Sequence, residues 1–130
     1  MIPVNRPLIK GNELRYVSNA IKSGWISADG GYVKKFEKKF SNFVSRKFSS
    51  TVSSGTAALD IAFKSINIKK GDEVIVPAFT IISCLNQIVR MGVKPVLVDC
   101  EEETFNMDVK QIKNKISKKT KAILIVHIYG

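Results

Sequence analysis

The run Thr51-Val52-Ser53-Ser54-Gly55-Thr56-Ala57-Ala58-Leu59 carries a β-prone segment into a Ser-Gly-Thr turn and out again as a helix. Leu59, Ala62, Phe63 and Ile66 repeat at i, i+3, i+4 and i+7, so the spacing predicts a helix from Thr56 to Ile66 with the tripeptide at its N-terminus. The segment before it, Phe48 to Ser53, is predicted to be a strand.

Downstream the same alternation continues. Short β-prone runs at Glu73 to Val76, Pro95 to Asp99 and Ala122 to Ile128 are separated by helical runs at Thr80 to Met91 and Val109 to Ile116. Strands bounded by helices with short connections imply right-handed crossovers and a mainly parallel sheet with helices on both faces, an α/β fold. Punctuation agrees: Lys70-Gly71-Asp72 stops one helix and starts a strand, and Gly92 after Met91 suits a left-handed helix cap. Upstream, Leu14, Val17 and Ile21 mark a helix from Glu13 to Lys22. Val33, Phe36, Phe40, Phe43 and Val44 mark another from about Tyr32 to Val44, expected to lay an aromatic stripe on a core. The turn-rich Ser23-Gly24-Trp25-Ile26-Ser27 between them carries the only Trp. The organisation expected is one domain over residues 1–130, with N-terminal helices and loop over 1–47 and the alternating core over 48–130.

Composition narrows the function classes. A chain of 130 residues with 45% hydrophobic and 25% charged residues can bury a core and is too apolar to be disordered. No apolar run approaches the roughly 20 residues of a membrane span, and the N-terminus lacks a leader pattern, so a soluble, cytoplasmic protein is expected. Cys84 and Cys100 have no metal-ligand or redox spacing, and one His cannot complete the usual zinc sets, so no metal is expected. The net charge of +10 raises nucleic acid as a partner. Its distribution argues against that, because the lysines pair inside helical patterns (Lys34-Lys35, Lys38-Lys39, Lys69-Lys70, Lys118-Lys119) without interleaved aromatics.

Chemistry could sit at the Ser-Gly-Thr turn. The first amides of a helix lack partners and the helix dipole favours an anion, so a phosphate would fit there, with Gly55 permitting close approach. An ordinary capped helix explains the same residues, since Ser and Thr are common N-caps. No nucleotide P-loop or dinucleotide fingerprint is present. The loop after Pro77 opens at the same carboxyl edge of the sheet, where ligands bind in α/β folds. Thr80 could cap the following helix, whereas Phe79, Ile81 and Leu85 read as buried packing. Asp99 ends a strand at that edge, and His127 reads as a hydrogen-bonded edge histidine.

Ile2-Pro3, Arg6-Pro7, Ser23-Gly24-Trp25-Ile26-Ser27, Phe36-Glu37 and Ser53 to Leu59 occur in that order, followed by Gly71 to Pro77 and Pro95 to Asp99. Glu103-Thr104, Thr120 to Ile123 and His127-Ile128-Tyr129-Gly130 complete the series. Together they resemble the N-terminal part of the DegT/DnrJ/EryC1/StrS family of sugar aminotransferases. The resemblance covers essentially the whole chain. It implies an incomplete large domain of the aspartate-aminotransferase architecture, PLP fold type I, with pyridoxal 5'-phosphate as cofactor. It also implies transfer of an amino group from glutamate to a nucleotide-linked keto-deoxysugar for surface polysaccharide, in a homodimer.

By the same resemblance Gly55, Thr56 and Ala57 hold the cofactor phosphate, and Trp25 and Ser27 lie near the sugar nucleotide. Ile81 stands where the family commonly stacks an aromatic ring on the pyridine. The family's Schiff-base lysine and the aspartate that pairs with the pyridinium nitrogen lie downstream of the His-Ile-Tyr-Gly run. No catalytic residue is therefore expected in this sequence, and these residues alone are expected to be inactive. Two other classes stay open: a non-catalytic module keeping the phosphate turn for a ligand or partner, and a basic nucleic-acid-binding domain.

Overall fold

Glu-Val-Ile-Val-Pro, with three consecutive β-branched apolar side chains, is the centre of the sheet in a computed structural model describing residues 2–3 and 5–129. Gly130, which closes the His-Ile-Tyr-Gly run, lies outside the described residues, as do Met1 and Val4. In chain order the elements are α1 (Glu13–Lys22), α2 (Gly31–Phe43), α3 (Gly55–Ser65), β1 (Glu73–Pro77), α4 (Ile82–Arg90), β2 (Lys94–Val98), α5 (Val109–Lys115) and β3 (Thr120–Ile123). They fall into two compact units, residues 1–51 and 52–130.

In the second unit β1 is buried along its whole length, because it has a parallel neighbour on each side in the order β2-β1-β3. Glu73 stands opposite Lys94 and Pro77 opposite Val98. On the other side Val74 pairs Ala122 and Ile75 pairs Ile123, after a register shift beside Glu73. Side chains of a strand alternate between faces, and the two faces of β1 accordingly enter different cores. Val74 and Val76 pack with Phe63 of α3 and with Cys84 and Ile88 of α4. Ile75 joins Val98, Met107 and Ile112 of α5. Helices therefore cover both faces of a parallel sheet, as the alternation of strand and helix predicts.

Gly92 has φ +69° and closes α4, its amide bonded to the Val89 carbonyl at 2.9 Å. Glu73, at the head of β1, is tied across the sheet. The Ser117 hydroxyl donates to its carboxylate at 2.6 Å and the Lys94 ammonium at 3.2 Å. The hydroxyl bond first, and then the ammonium, hold that carboxyl below its ordinary pKa.

The first unit holds α1 and α2. Tyr16 and Tyr32 meet across them with ring centroids 5.6 Å apart. Gly30 caps α2 where a Cβ would come within 3.3 Å of the Ser27 and Trp25 carbonyl oxygens. The aromatic stripe expected to lie on a core is instead exposed: Phe36, Phe40 and Phe43 are all open, and Phe36 stacks on Phe40 at 5.7 Å. Helical spacing sets which side chains share a face, not what covers that face.

Two strands depart from expectation. Phe48 to Ser53 is not a strand, because its polar groups go to α2. The Thr51 amide and hydroxyl donate to the Glu37 carboxylate at 2.8 and 2.9 Å, and the Ser49 hydroxyl donates to the Glu37 carbonyl. The two Thr51 bonds, the amide's first, lower the Glu37 pKa. The run expected as a strand from Ala122 to Ile128 is regular only to Ile123. The Leu124 amide still reaches the Ile75 carbonyl at 2.8 Å, but β1 ends at Pro77, which has no N–H to continue a ladder.

Candidate functional site

The N-terminus of α3 is built by Ser54. Its backbone is extended (φ −163°, ψ 163°), its carbonyl accepts the first helical bond from the Ala58 amide at 3.0 Å, and its Oγ accepts from the Ala57 amide at 3.2 Å. The Gly55 and Thr56 amides stand ahead of the helix ladder, as the first amides of any helix do. Gly55 and Thr56 are exposed and Ala57 is half-buried. A Cβ built on Gly55 would meet nothing within 4 Å, and the first turn carries no acidic residue. The Gly55 and Thr56 amides and the positive end of the helix dipole thus stand at an exposed turn with no competing carboxylate in it. A phosphate group fits that donor set.

The first turn is also held from another element. Gln87 of α4, only 4% exposed, donates from Nε2 to the Thr56 carbonyl at 3.3 Å. Gln87 is not among the residues that motif or charge pattern points to. Its position three after Cys84 and one before Ile88, both buried on the inner side of α4, is the signal that could have singled it out.

At the carboxyl end of β1, Ile81 is the N-cap residue of α4 and is 60% exposed. Thr80 does not cap the helix; its hydroxyl turns to the Cys84 sulfur at 3.7 Å. Phe79 is also exposed rather than packed away, and it forms a cluster with Phe105 (centroids 5.8 Å) and Tyr129 (6.3 Å). The loops after all three strands therefore meet through aromatic rings at one edge. Phe105 has φ +59°, a left-handed backbone that no residue pattern announces. Asp99 follows β2, and its carboxylate accepts from the Cys100 amide at 2.8 Å. His127 is exposed and makes no side-chain hydrogen bond among the described residues, unlike the bonded edge histidine expected.

Trp25 and Ser27 belong to the first unit. Trp25 is 60% exposed, with its backbone amide donating to Ser23 Oγ at 3.3 Å, and the Ser27 carbonyl accepts from Gly30 at 3.1 Å. Trp25 lines a groove of about 330 Å³ with Ser23, Gly31, Tyr32 and Lys35. The paired lysines are all exposed, as solvated helix and loop faces.

The profile of the DegT/DnrJ/EryC1/StrS aminotransferase family matches residues 7–130. The chain belongs to this family. Among its relatives, the GDP-perosamine synthase of Vibrio cholerae is 47% identical over 130 residues, all of this chain and 35% of that enzyme. The GDP-perosamine synthase of Escherichia coli O157:H7 is 46% identical over 129 residues, again 35% of its length. The chain therefore spans about a third of the relatives it matches.

Solved structures share the fold. The aminotransferase from Psychrobacter cryohalolentis superposes with a TM-score of 0.85 at 33% identity, covering 95% of this chain and 32% of that one. The GDP-4-keto-6-deoxy-D-mannose-3-dehydratase of E. coli, with bound hydrated PLP, superposes at 0.83 and 28% identity, covering 95% of this chain and 33% of that one. The α/β architecture of this family member is thus that of the PLP fold-type I aminotransferases.

Proposed function

We propose that this chain supplies the phosphate-binding part of a pyridoxal-phosphate-dependent sugar aminotransferase. The whole protein would move an amino group from glutamate to the keto carbon of a GDP-linked keto-deoxysugar, for surface polysaccharide made in the cytoplasm. The observation that carries the reading is the open first turn of α3, with Gly55 and Thr56 exposed behind a Ser54 cap, in a chain of this family. The identity to GDP-perosamine synthases favours a GDP-sugar over other nucleotide sugars.

When bound, the cofactor supplies an electron sink for the carbanion formed during amino exchange. The chain's own residues do the rest of the work at this end. The Gly55 and Thr56 amides and the Thr56 hydroxyl hold the phosphate; Ala57, expected from the family resemblance to join them, has its amide committed to the Ser54 cap and lines the turn without donating to the anion. Ile81 covers the ring by dispersion, without the roughly 0.5–1.5 kcal/mol that an aromatic partner adds. Trp25 and Ser27 approach the sugar nucleotide, and a homodimer completes the site. No lysine here matches the family's Schiff-base position, so these 130 residues bind cofactor without turning over substrate.

Incubating the protein with pyridoxal phosphate, glutamate and a GDP-linked 4-keto-6-deoxyhexose tests the reading. The whole protein is expected to release one 2-oxoglutarate for each amino sugar formed, and the 130-residue chain neither. Turnover by these residues alone, or 2-oxoglutarate without an amino sugar from the whole protein, would contradict it.

A further inference from the structure

Gln87 is the least expected residue of the second unit. It sits on the inward side of α4, between Cys84 and Ile88, where the helical period asks for an apolar side chain. Burying a primary amide is unfavourable unless it is hydrogen-bonded. The bond it makes reaches 31 residues back to the Thr56 carbonyl. Among the described residues it is the only side-chain hydrogen bond from another element to the first turn of α3.

The peptide group it touches matters. The Thr56 carbonyl and the Ala57 amide are two ends of one rigid plane. Gln87 Nε2 holds the carbonyl end at 3.3 Å, and Ser54 Oγ holds the amide end at 3.2 Å. A plane fixed at both ends fixes Thr56, and with it the directions of the free Gly55 and Thr56 amides immediately before it. A bond to the carbonyl also polarises the peptide and strengthens its N–H as a donor to the cap.

The structure assigns Gln87 as a positioning residue for phosphate binding: it anchors the first turn of α3 to α4 so that two amides converge on one anion. This rests on the reading of that turn as the cofactor-phosphate site, and it adds a residue that makes no contact with the ligand.

Calorimetric titration of the chain with inorganic phosphate, pyridoxal 5'-phosphate and pyridoxal tests it, on the parent, Gln87→Met and Gln87→Glu. Met keeps the length and suits the apolar surroundings, so its thermal midpoint should match or exceed the parent's. Its affinity for both phosphate ligands should fall about fivefold, the worth of one net hydrogen bond, with pyridoxal binding unchanged. Glu, whose carboxylate opposes the Thr56 carbonyl, should lose more. Equal phosphate affinity in the parent and Gln87→Met overturns the assignment and leaves the phosphate site standing. A parent that binds neither phosphate ligand overturns both. Should a variant not fold, the parent still decides: the Gln87 side-chain amide signals should shift as phosphate saturates, and their staying fixed overturns the assignment.

Discussion

Ser54 and Glu73 show how single polar residues set this structure. Ser54 turns an apolar helix into one with an ordered start, and Glu73 gathers β1, β2 and the turn before β3 into one bonded corner. The sign of the Glu73 effect follows from its lowered pKa. The unfolded carboxyl titrates near its ordinary value of 4.5, and the folded one lower. Its contribution is therefore complete above that ordinary value and is lost as pH falls through the folded value. Glu73→Gln should unfold at lower urea than the parent at neutral pH and lose less stability on acidification. Glu37 acts in the same sense in the first unit, so the flattening is partial. Urea midpoints at neutral pH and near pH 4 measure this; parallel pH profiles would refute it. Residue types reveal such carboxylates only weakly. The sequence contains Glu73, Lys94 and Ser117, but only the parallel register and the turn before β3 bring them together.

Elements were legible where a period ran long and an end was marked. α1 starts and stops where Leu14, Val17 and Ile21 predict, and α3 and β1 lie within a residue or so of expectation. Gly92 is the sharpest of these marks, since its positive φ closes α4 and a Cβ there would lie 3.0 Å from Lys70 Cγ. Gly92→Ala should cost about 1–2 kcal/mol, read from denaturant unfolding, and a neutral outcome would mean that the left-handed cap does not constrain the turn. Where periodicity misled, tertiary competition was the reason. Phe48 to Ser53 has strand-forming side chains, but Glu37 captures the Thr51 amide that a ladder would need. The α2 aromatics have the spacing of a buried stripe yet remain exposed, because period alone does not say what covers a face.

At the largest scale, within the second unit, the sheet and its helices form one frame whose carboxyl edge carries the Phe79 loop, while α3 presents its open first turn beside α4. That the turn could bind an anion was legible from Ser-Gly-Thr before a helical period. That it is clamped at Thr56 was not, because Gln87 lies 31 residues away and only packing reveals the bond. Cofactor capture at this end comes down to the Gly55 and Thr56 amides binding its phosphate. Backbone amide chemical shifts, followed as pyridoxal 5'-phosphate and then pyridoxal are titrated into the isotope-labelled chain, test this most directly. Large, saturable shifts are expected at Gly55 and Thr56 with the phosphorylated compound and none there with pyridoxal. Equal responses to both compounds, or shifts confined to residues outside the first turn of α3, would contradict it.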